Sequence, residues 1–155
     1  DSERWAGVPF YVRTGKCLPV TATEVLVEFK RPCCPVFDEI EPPLPNYFRF
    51  RLSPDVTIAF GTTTKVPGQA MVGKPIELVA QQCSGDGMDP YERLLGDAMS
   101  GDATLFARGD GVEAAWRVVQ PILDTPMSLH EYAANTWGPR EADRLIEGGW
   151  HNPSG

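Results

Sequence analysis

The chain has 155 residues, with 14 basic and 21 acidic side chains that give a formal net charge of −7. This length suits one domain that folds without disulfides or metals, and so acidic a chain argues against nucleic-acid binding. No apolar run approaches the roughly 18 residues that a membrane-spanning helix needs, so no membrane partner is expected.

The first half predicts a sheet. Apolar and polar residues alternate over 8–13, 23–30, 46–52 and 56–60, with a turn at 53–55 that makes 46–60 a hairpin, and a further strand is indicated around 76–80. Half-polar alternation favours antiparallel pairing. The proline-rich stretch 32–45 and the glycine-containing stretch 62–75 are predicted as irregular connections.

The second half predicts helices. One helix begins after a capping Asp89 and ends at Gly101, and a second runs from a capping Asp110 to Pro121. A short third helix is expected from Pro139 to 148–149. Strands followed by helices, without βαβ alternation, predict one α+β domain over residues 1–155, with a large, mostly antiparallel sheet and helices packed on one of its faces.

The other face of the predicted sheet is polar. It carries tyrosines, arginines and glutamates: Tyr11, Arg13, Glu24, Glu28, Tyr47, Arg49 and Arg51. One interpretation is a solvated surface. The alternative is a subunit or domain interface, where Arg and Tyr are enriched.

The residue patterns of common catalytic sites are absent. The sequence contains no G-x-S-x-G, H-E-x-x-H or G-x-G-x-x-G. Its four cysteines have no C-x-x-C spacing, so a metal site is not expected, and the cysteines are expected to be reduced thiols in a cytosol.

One local feature suits an anion. Lys16 follows a predicted strand and a glycine, where an ammonium can meet a phosphate, although a solvated turn lysine is the commoner outcome.

Several motifs resemble those of the glucose-6-phosphate dehydrogenase family. Residues 4–18, R-W-A-G-V-P-F-Y-V-R-T-G-K-C-L, resemble its R-W-x-G-V-P-F-x-x-R-x-G-K-x-L signature. Residues 90–95 resemble its A-Y-E-R-L-I helix start, 105–117 its F-x-R-x-D…A-W-R stretch, and 137–143 its G-P-x-E-A-D close. Trp150 with Asn152 and Pro153 resembles the final W-x-N-P. These matches follow the family's order along nearly the whole chain.

The resemblance implies the C-terminal domain of an NADP-dependent enzyme that oxidises glucose 6-phosphate to 6-phosphogluconolactone in the cytoplasmic pentose phosphate pathway. In this family the Rossmann domain, which mainly binds NADP, and the catalytic His–Asp pair lie upstream. No catalytic residue is therefore expected in this chain, and the isolated chain is expected to be inactive. Family members also assemble as homodimers or larger homo-oligomers through the sheet of this domain.

The resemblance carries over few site residues. Lys16 matches the lysine that reaches the substrate phosphate and sugar, whereas Thr21 and Ser53 stand where some members have a second basic residue and a glutamine. Arg13 and Arg51 match arginines that hold a second, structural NADP in some animal enzymes, and Trp150 matches an aromatic residue there. Ala22 and Leu26 replace basic residues of that second site, so a structural nucleotide is not expected. Without one, Arg13 is expected to pair with a sheet neighbour and Trp150 to serve packing.

Two further interpretations concern the extent of the protein. The chain does not begin with Met, which indicates a fragment of a longer protein or, alternatively, a processed start or trimmed tag. If the chain is native at this length, the alternative function is a stand-alone, non-catalytic module for dimerisation or sugar-phosphate binding. A complete enzyme of different chemistry is disfavoured, because no catalytic constellation is present.

Overall fold

The structure is a computed structural model that describes residues 3–34, 36–37, 45–68, 70–82 and 88–154. Its main elements are four strands and two helices: β1 Thr23–Glu28, β2 Tyr47–Ser53, β3 Val56–Lys65, β4 Gly73–Gln82, α1 Pro90–Ser100 and α2 Gly109–Leu123. Short 3-10 helices cover Glu3–Trp5 and Arg140–Leu145. The α+β class is confirmed. No helix in the described ranges combines the length and the apolar character needed to cross a membrane.

The four strands form one antiparallel sheet in the order β1-β2-β3-β4. Its register confirms the two faces that the alternation predicts, because Glu24 lies opposite Arg51, and Val25 opposite Phe50. On the apolar face, the rings of Phe48 and Phe60 lie 5.0 Å apart across β2 and β3. On the polar face, Ala59 is fully buried and Thr57 is 8% exposed.

Strands β3 and β4 are longer than the sequence suggests. They pair as far as Lys65 opposite Gly73. The irregular connection predicted over 62–75 is therefore wrong for 62–65 and 73–75, which belong to strands, and only residues 66–72 connect them. The threonines at 62–64 are β-branched and favour the extended chain. Pro75 is tolerated because β4 is an edge strand of this sheet.

The strand predicted over residues 8–13 is also wrong, because these residues pair with no strand in the described structure. Their alternation has another cause. Tyr11 packs edge-on against Trp150, with ring centroids 6.3 Å apart, and Arg13 bonds to residues 151 and 152, whereas Phe10 and Val12 are exposed. The loop predicted over 32–45 lies largely outside the described residues.

Helix α1 begins and ends as predicted. The Asp89 carboxylate accepts a hydrogen bond from the Tyr91 N–H (2.9 Å), and Gly101 takes the left-handed conformation (φ 76°) that closes the helix. Helix α2 differs, because Arg108 occupies the N-cap position without a side-chain cap and Asp110 lies inside the first turn. Asp110 instead accepts hydrogen bonds from the Arg108 guanidinium, and the helix continues past Pro121.

The expected third helix is only the 3-10 turn Arg140–Leu145, with Pro139 at its N-cap. The chain divides into two compact units. One contains the sheet together with Glu131–Gly155, and the other, Ser84–His130, contains α1 and α2.

Candidate functional site

Charged side chains form a ladder across the polar face of the sheet. Arg49 on β2 donates to Glu77 on β4 through Nε (3.1 Å) and Nη2 (2.7 Å), and its Nη1 lies 3.4 Å from Glu24 on β1. The Tyr47 hydroxyl donates to the same Glu77 carboxylate (2.9 Å). The hydrogen bond from Arg49 lowers the pKa of Glu77 from its usual value, and burial, which acts the other way, does not cancel this effect.

Small residues on β3 make room for this ladder. A Cβ added to Gly61 would lie 2.0 Å from the Tyr47 ring, so the ring packs directly on the strand backbone. A shallow cavity of about 220 Å³ opens beside Tyr47 and is lined by Pro45 and by residues of β2, β3 and β4. Among the described residues, its lining includes Glu77 and no Lys or Arg, so the charge of this lining does not favour an anionic ligand.

The last described residues, 150–154, which we call the C-terminal segment, lie against the same face. Arg13 Nη2 donates to the carbonyl of His151 (2.9 Å) and to the side chain of Asn152 (2.6 Å). Arg51 donates to the carbonyl of Ser154 (2.6 Å) and, through Nε, to Glu24 (2.9 Å). Arg13, Arg49 and Arg51, which we call the arginine cluster, therefore have partners within the chain itself.

Glu24 joins the C-terminal segment to the ladder. Its side chain is only 2% exposed, and its carboxylate contacts Arg49, Arg51 and the His151 ring. Burial pushes the pKa of Glu24 upward, but the hydrogen bonds from His151 and Arg51 outweigh burial and hold that pKa below its usual value.

Aromatic rings enclose Arg13. Its guanidinium carbon lies 4.5 Å from the ring centroid of Trp137 and 5.0 Å from that of Trp150, within the range of a cation–π interaction. The Trp150 indole also donates to the Ala142 carbonyl (2.8 Å). Burial lowers the pKa of Arg13, while Asp143 acts in the opposite direction.

These contacts bear on the residues that the resemblance connects with a second nucleotide. The structure brings Arg13, Arg51 and Trp150 together with the C-terminal segment. Within the described residues, Arg13 forms no ion pair with a sheet neighbour, and its hydrogen-bond partners are the His151 carbonyl and the Asn152 side chain. In the described structure, Arg13 and Arg51 donate to carbonyls, an amide and a carboxylate of the chain itself.

Lys16 lies in a different environment. It is exposed, and within the described part of the chain its ammonium has no hydrogen bond or ion pair. The turn around it is joined by two hydrogen bonds to residues 132 and 135. Thr21 is exposed between this turn and β1, and Ser53 lies opposite Thr23 at the end of β2. Neither side chain is hydrogen-bonded to Lys16 in the described ranges.

The sequence patterns did not identify several residues that contact the polar sheet face or the Lys16 turn. Glu77 belongs to the polar face by the same alternation that identified Glu24, and this signal was present in β4. Tyr132, His151 and Ser154 act from irregular segments, for which no periodicity gives a signal. Among the described residues, no three His, Cys, Asp or Glu side chains are grouped as ligands for a metal ion.

Comparison with known proteins agrees with the motifs. A family model described as "Glucose-6-phosphate dehydrogenase, C-terminal domain" matches residues 1–152. Glucose-6-phosphate 1-dehydrogenase of Aggregatibacter actinomycetemcomitans is 47% identical over all of this chain, and that of Treponema pallidum is 41% identical over 99% of it. The chain spans 33% and 32% of these relatives, about a third of their length.

Solved structures show the same relationship. The crystal structure of glucose-6-phosphate 1-dehydrogenase from Mycobacterium avium matches with a TM-score of 0.81 and 37% identity. The match covers 99% of this chain and 34% of the chain in that structure. A glucose-6-phosphate dehydrogenase solved with its substrate glucose-6-phosphate has a TM-score of 0.66, and the match covers 90% of this chain and 30% of that protein's chain. At 23% identity, this second structure supports the fold alone. The chain therefore belongs to the glucose-6-phosphate dehydrogenase family and corresponds to its C-terminal domain.

Proposed function

We propose that this chain is the substrate-binding and oligomerisation domain of an NADP-dependent glucose-6-phosphate 1-dehydrogenase. The full-length enzyme oxidises C1 of glucose 6-phosphate and gives 6-phosphogluconolactone, as in the pentose phosphate pathway. NADP accepts the hydride and is bound mainly by a domain outside this chain, which also supplies the catalytic base. The chain's own part is to hold the sugar phosphate.

The observation that carries the substrate role is the state of Lys16. Its ammonium is exposed and has no partner in the described structure, whereas the arginine cluster already holds carbonyls and carboxylates of this chain. A lysine is a compact charge suited to a phosphate. Thr21 and Ser53 are also exposed but bring no positive charge, so of these three residues we assign the contact with the substrate phosphate to Lys16.

Steady-state kinetics of the full-length enzyme test this role. We expect Lys16→Ala to raise KM for glucose 6-phosphate at least tenfold, because a charge-assisted hydrogen bond contributes about 1.5–3 kcal/mol. Lys30→Ala is the matched control, since Lys30 is another exposed lysine of the same unit. An unchanged KM in Lys16→Ala would remove this residue from the substrate site.

The role of Arg13, Arg51 and Trp150 is, in our proposal, to anchor the C-terminal segment rather than to bind a second nucleotide. This is supported by the hydrogen bonds from the two arginines to residues 151, 152 and 154. Equilibrium titration of the full-length protein with NADP should then give one site per subunit. A second site that Arg51→Ala abolishes would contradict this proposal.

Assembly and location are further parts of the proposal. The resemblance supports a homodimer or larger homo-oligomer through the polar sheet face, on which Glu28 remains exposed. Light scattering of the full-length protein checks this, and a monomer at micromolar concentration would contradict it. We place the enzyme in the cytoplasm, which cell fractionation can verify.

The alternative is a stand-alone, non-catalytic module. The mass of the native chain, found with an antibody raised against this sequence, separates the two functions. A band several times heavier than this chain supports the enzyme, and a band at the mass of the chain itself supports the module. The isolated chain is expected to give no turnover with NADP and glucose 6-phosphate.

A further inference from the structure

The turn that carries Lys16 is not part of a strand or helix, and its backbone is strained. Cys17, the next residue, has φ 56°, in the left-handed region that residues with a Cβ seldom adopt. Such a conformation costs roughly 1–3 kcal/mol and persists only where surrounding contacts hold it. The position of the Lys16 ammonium therefore depends on whatever fixes this turn.

Two hydrogen bonds from a distant segment fix it. The Tyr132 hydroxyl donates to the Lys16 carbonyl (2.8 Å), across 116 residues of sequence, and the Asn135 N–H donates to the Cys17 carbonyl (2.8 Å). These bonds bracket the strained residue. Both partners belong to the same compact unit as the turn.

Gly15 allows this approach. A Cβ at this position would lie 3.1 Å from the Tyr132 hydroxyl oxygen, which is tighter than an ordinary contact. The glycine before Lys16 is therefore needed for the neighbouring hydroxyl, and Gly15 is not among the glycines with a positive φ. A larger residue would push the hydroxyl away from the Lys16 carbonyl.

We propose that Tyr132 is a positioning residue for substrate binding, which holds the Lys16 turn so that the ammonium meets the phosphate of the sugar. This inference rests on the proposed role of Lys16. Tyr132 acts through the Lys16 backbone carbonyl and does not touch the ammonium.

The test is a double-mutant cycle in the full-length enzyme. Tyr132→Phe removes only the hydroxyl, and we expect KM for glucose 6-phosphate to rise about threefold to tenfold, the range of one lost hydrogen bond, while kcat stays within about twofold. Tyr91→Phe, which removes the hydroxyl of a largely exposed tyrosine on α1, is the matched control and should leave KM unchanged.

In the Lys16→Ala background, Tyr132→Phe should change KM by less than about twofold, because no ammonium remains to be positioned. The same factor in both backgrounds would show that Tyr132 acts independently of Lys16 and would overturn the inference. If Lys16→Ala raises KM and Tyr132→Phe does not, this inference fails alone. If Lys16→Ala leaves KM unchanged, the proposed function of Lys16 and this inference fail together.

Gly15→Ala gives an independent check that does not remove the tyrosine. The added methyl group should displace the hydroxyl and raise KM by a similar factor in the wild-type enzyme. In the Tyr132→Phe background, where that hydroxyl is absent, the same change should have little further effect. Equal effects of Gly15→Ala in both backgrounds would contradict positioning through this contact.

Discussion

The Lys16 turn and the arginine cluster are both positive regions of an acidic chain, but their charges are used differently. Arg13, Arg49 and Arg51 hold carboxylates and carbonyls of the chain itself. The Lys16 ammonium is exposed and has no partner in the described structure, while the backbone carbonyl of Lys16 accepts a hydrogen bond from the Tyr132 hydroxyl. The two regions therefore share the sign of their charge and differ in their partners, and this difference is the basis on which we propose anchoring for one and ligand binding for the other.

The largest effect is expected from Glu24→Gln, which tests whether the arginine cluster anchors the C-terminal segment. This substitution removes the carboxylate shared by Arg49, Arg51 and His151, and should destabilise the attachment of the C-terminal segment by about 1.5–3 kcal/mol, the range for hydrogen bonds to a charged group. Hydrogen exchange at residues 150–154 of the full-length protein measures this. Glu28→Gln is the control, because Glu28 is exposed on the same strand and face. Equal protection in both variants would show that Glu24 does not anchor the segment.

A smaller effect is expected from Gly61→Ala, which tests whether the close approach of the Tyr47 ring to β3 supports the ladder. The added Cβ would collide with the Tyr47 ring and should cost about 1–3 kcal/mol, because the ring must leave Glu77. Thermal unfolding of the full-length protein measures the loss. Gly96→Ala on α1 is the control, since nothing lies within 4 Å of a Cβ there. A neutral Gly61→Ala would mean that Tyr47 readjusts without loss.

The smallest effect is expected from mild acid. The pKa values of Glu24 and Glu77 are lowered in the folded chain, so their stabilisation is present above the ordinary carboxyl pKa of about 4.3 and is lost as the pH falls through the lower folded values. Protection of residues 150–154 from hydrogen exchange should therefore stay constant between pH 7 and pH 5. It should decrease at pH values lower than 4. Loss of protection already near pH 6 would point to another group.

Much of the sheet could be predicted from sequence, because alternation in 23–30 and 46–60 reports directly which side chains share a face. The Asp89 and Gly101 signals likewise defined α1, since capping is local chemistry. The strand prediction for residues 8–13 was wrong because a similar alternation arises where Tyr11 and Arg13 contact the C-terminal segment without pairing to any described strand. Contacts such as Arg51 with Ser154 join positions 103 residues apart, and no local pattern encodes them.

The candidate site could be predicted from the sequence less completely than the fold. Lys16 is chemically suited to a phosphate, but a turn lysine is ordinary, and only the motif of residues 4–18 distinguished it. The residues that hold its turn, Tyr132 and Asn135, needed coordinates, because they belong to a segment without regular structure.

A crystal structure of the full-length protein with glucose 6-phosphate and NADP would test the division between the two regions most directly. We expect the sugar phosphate within hydrogen-bond distance of Lys16 Nζ, with Arg13 and Arg51 still bonded to the C-terminal segment. A second nucleotide on Arg13 and Arg51, with residues 150–154 displaced, or a phosphate distant from Lys16, would contradict the account.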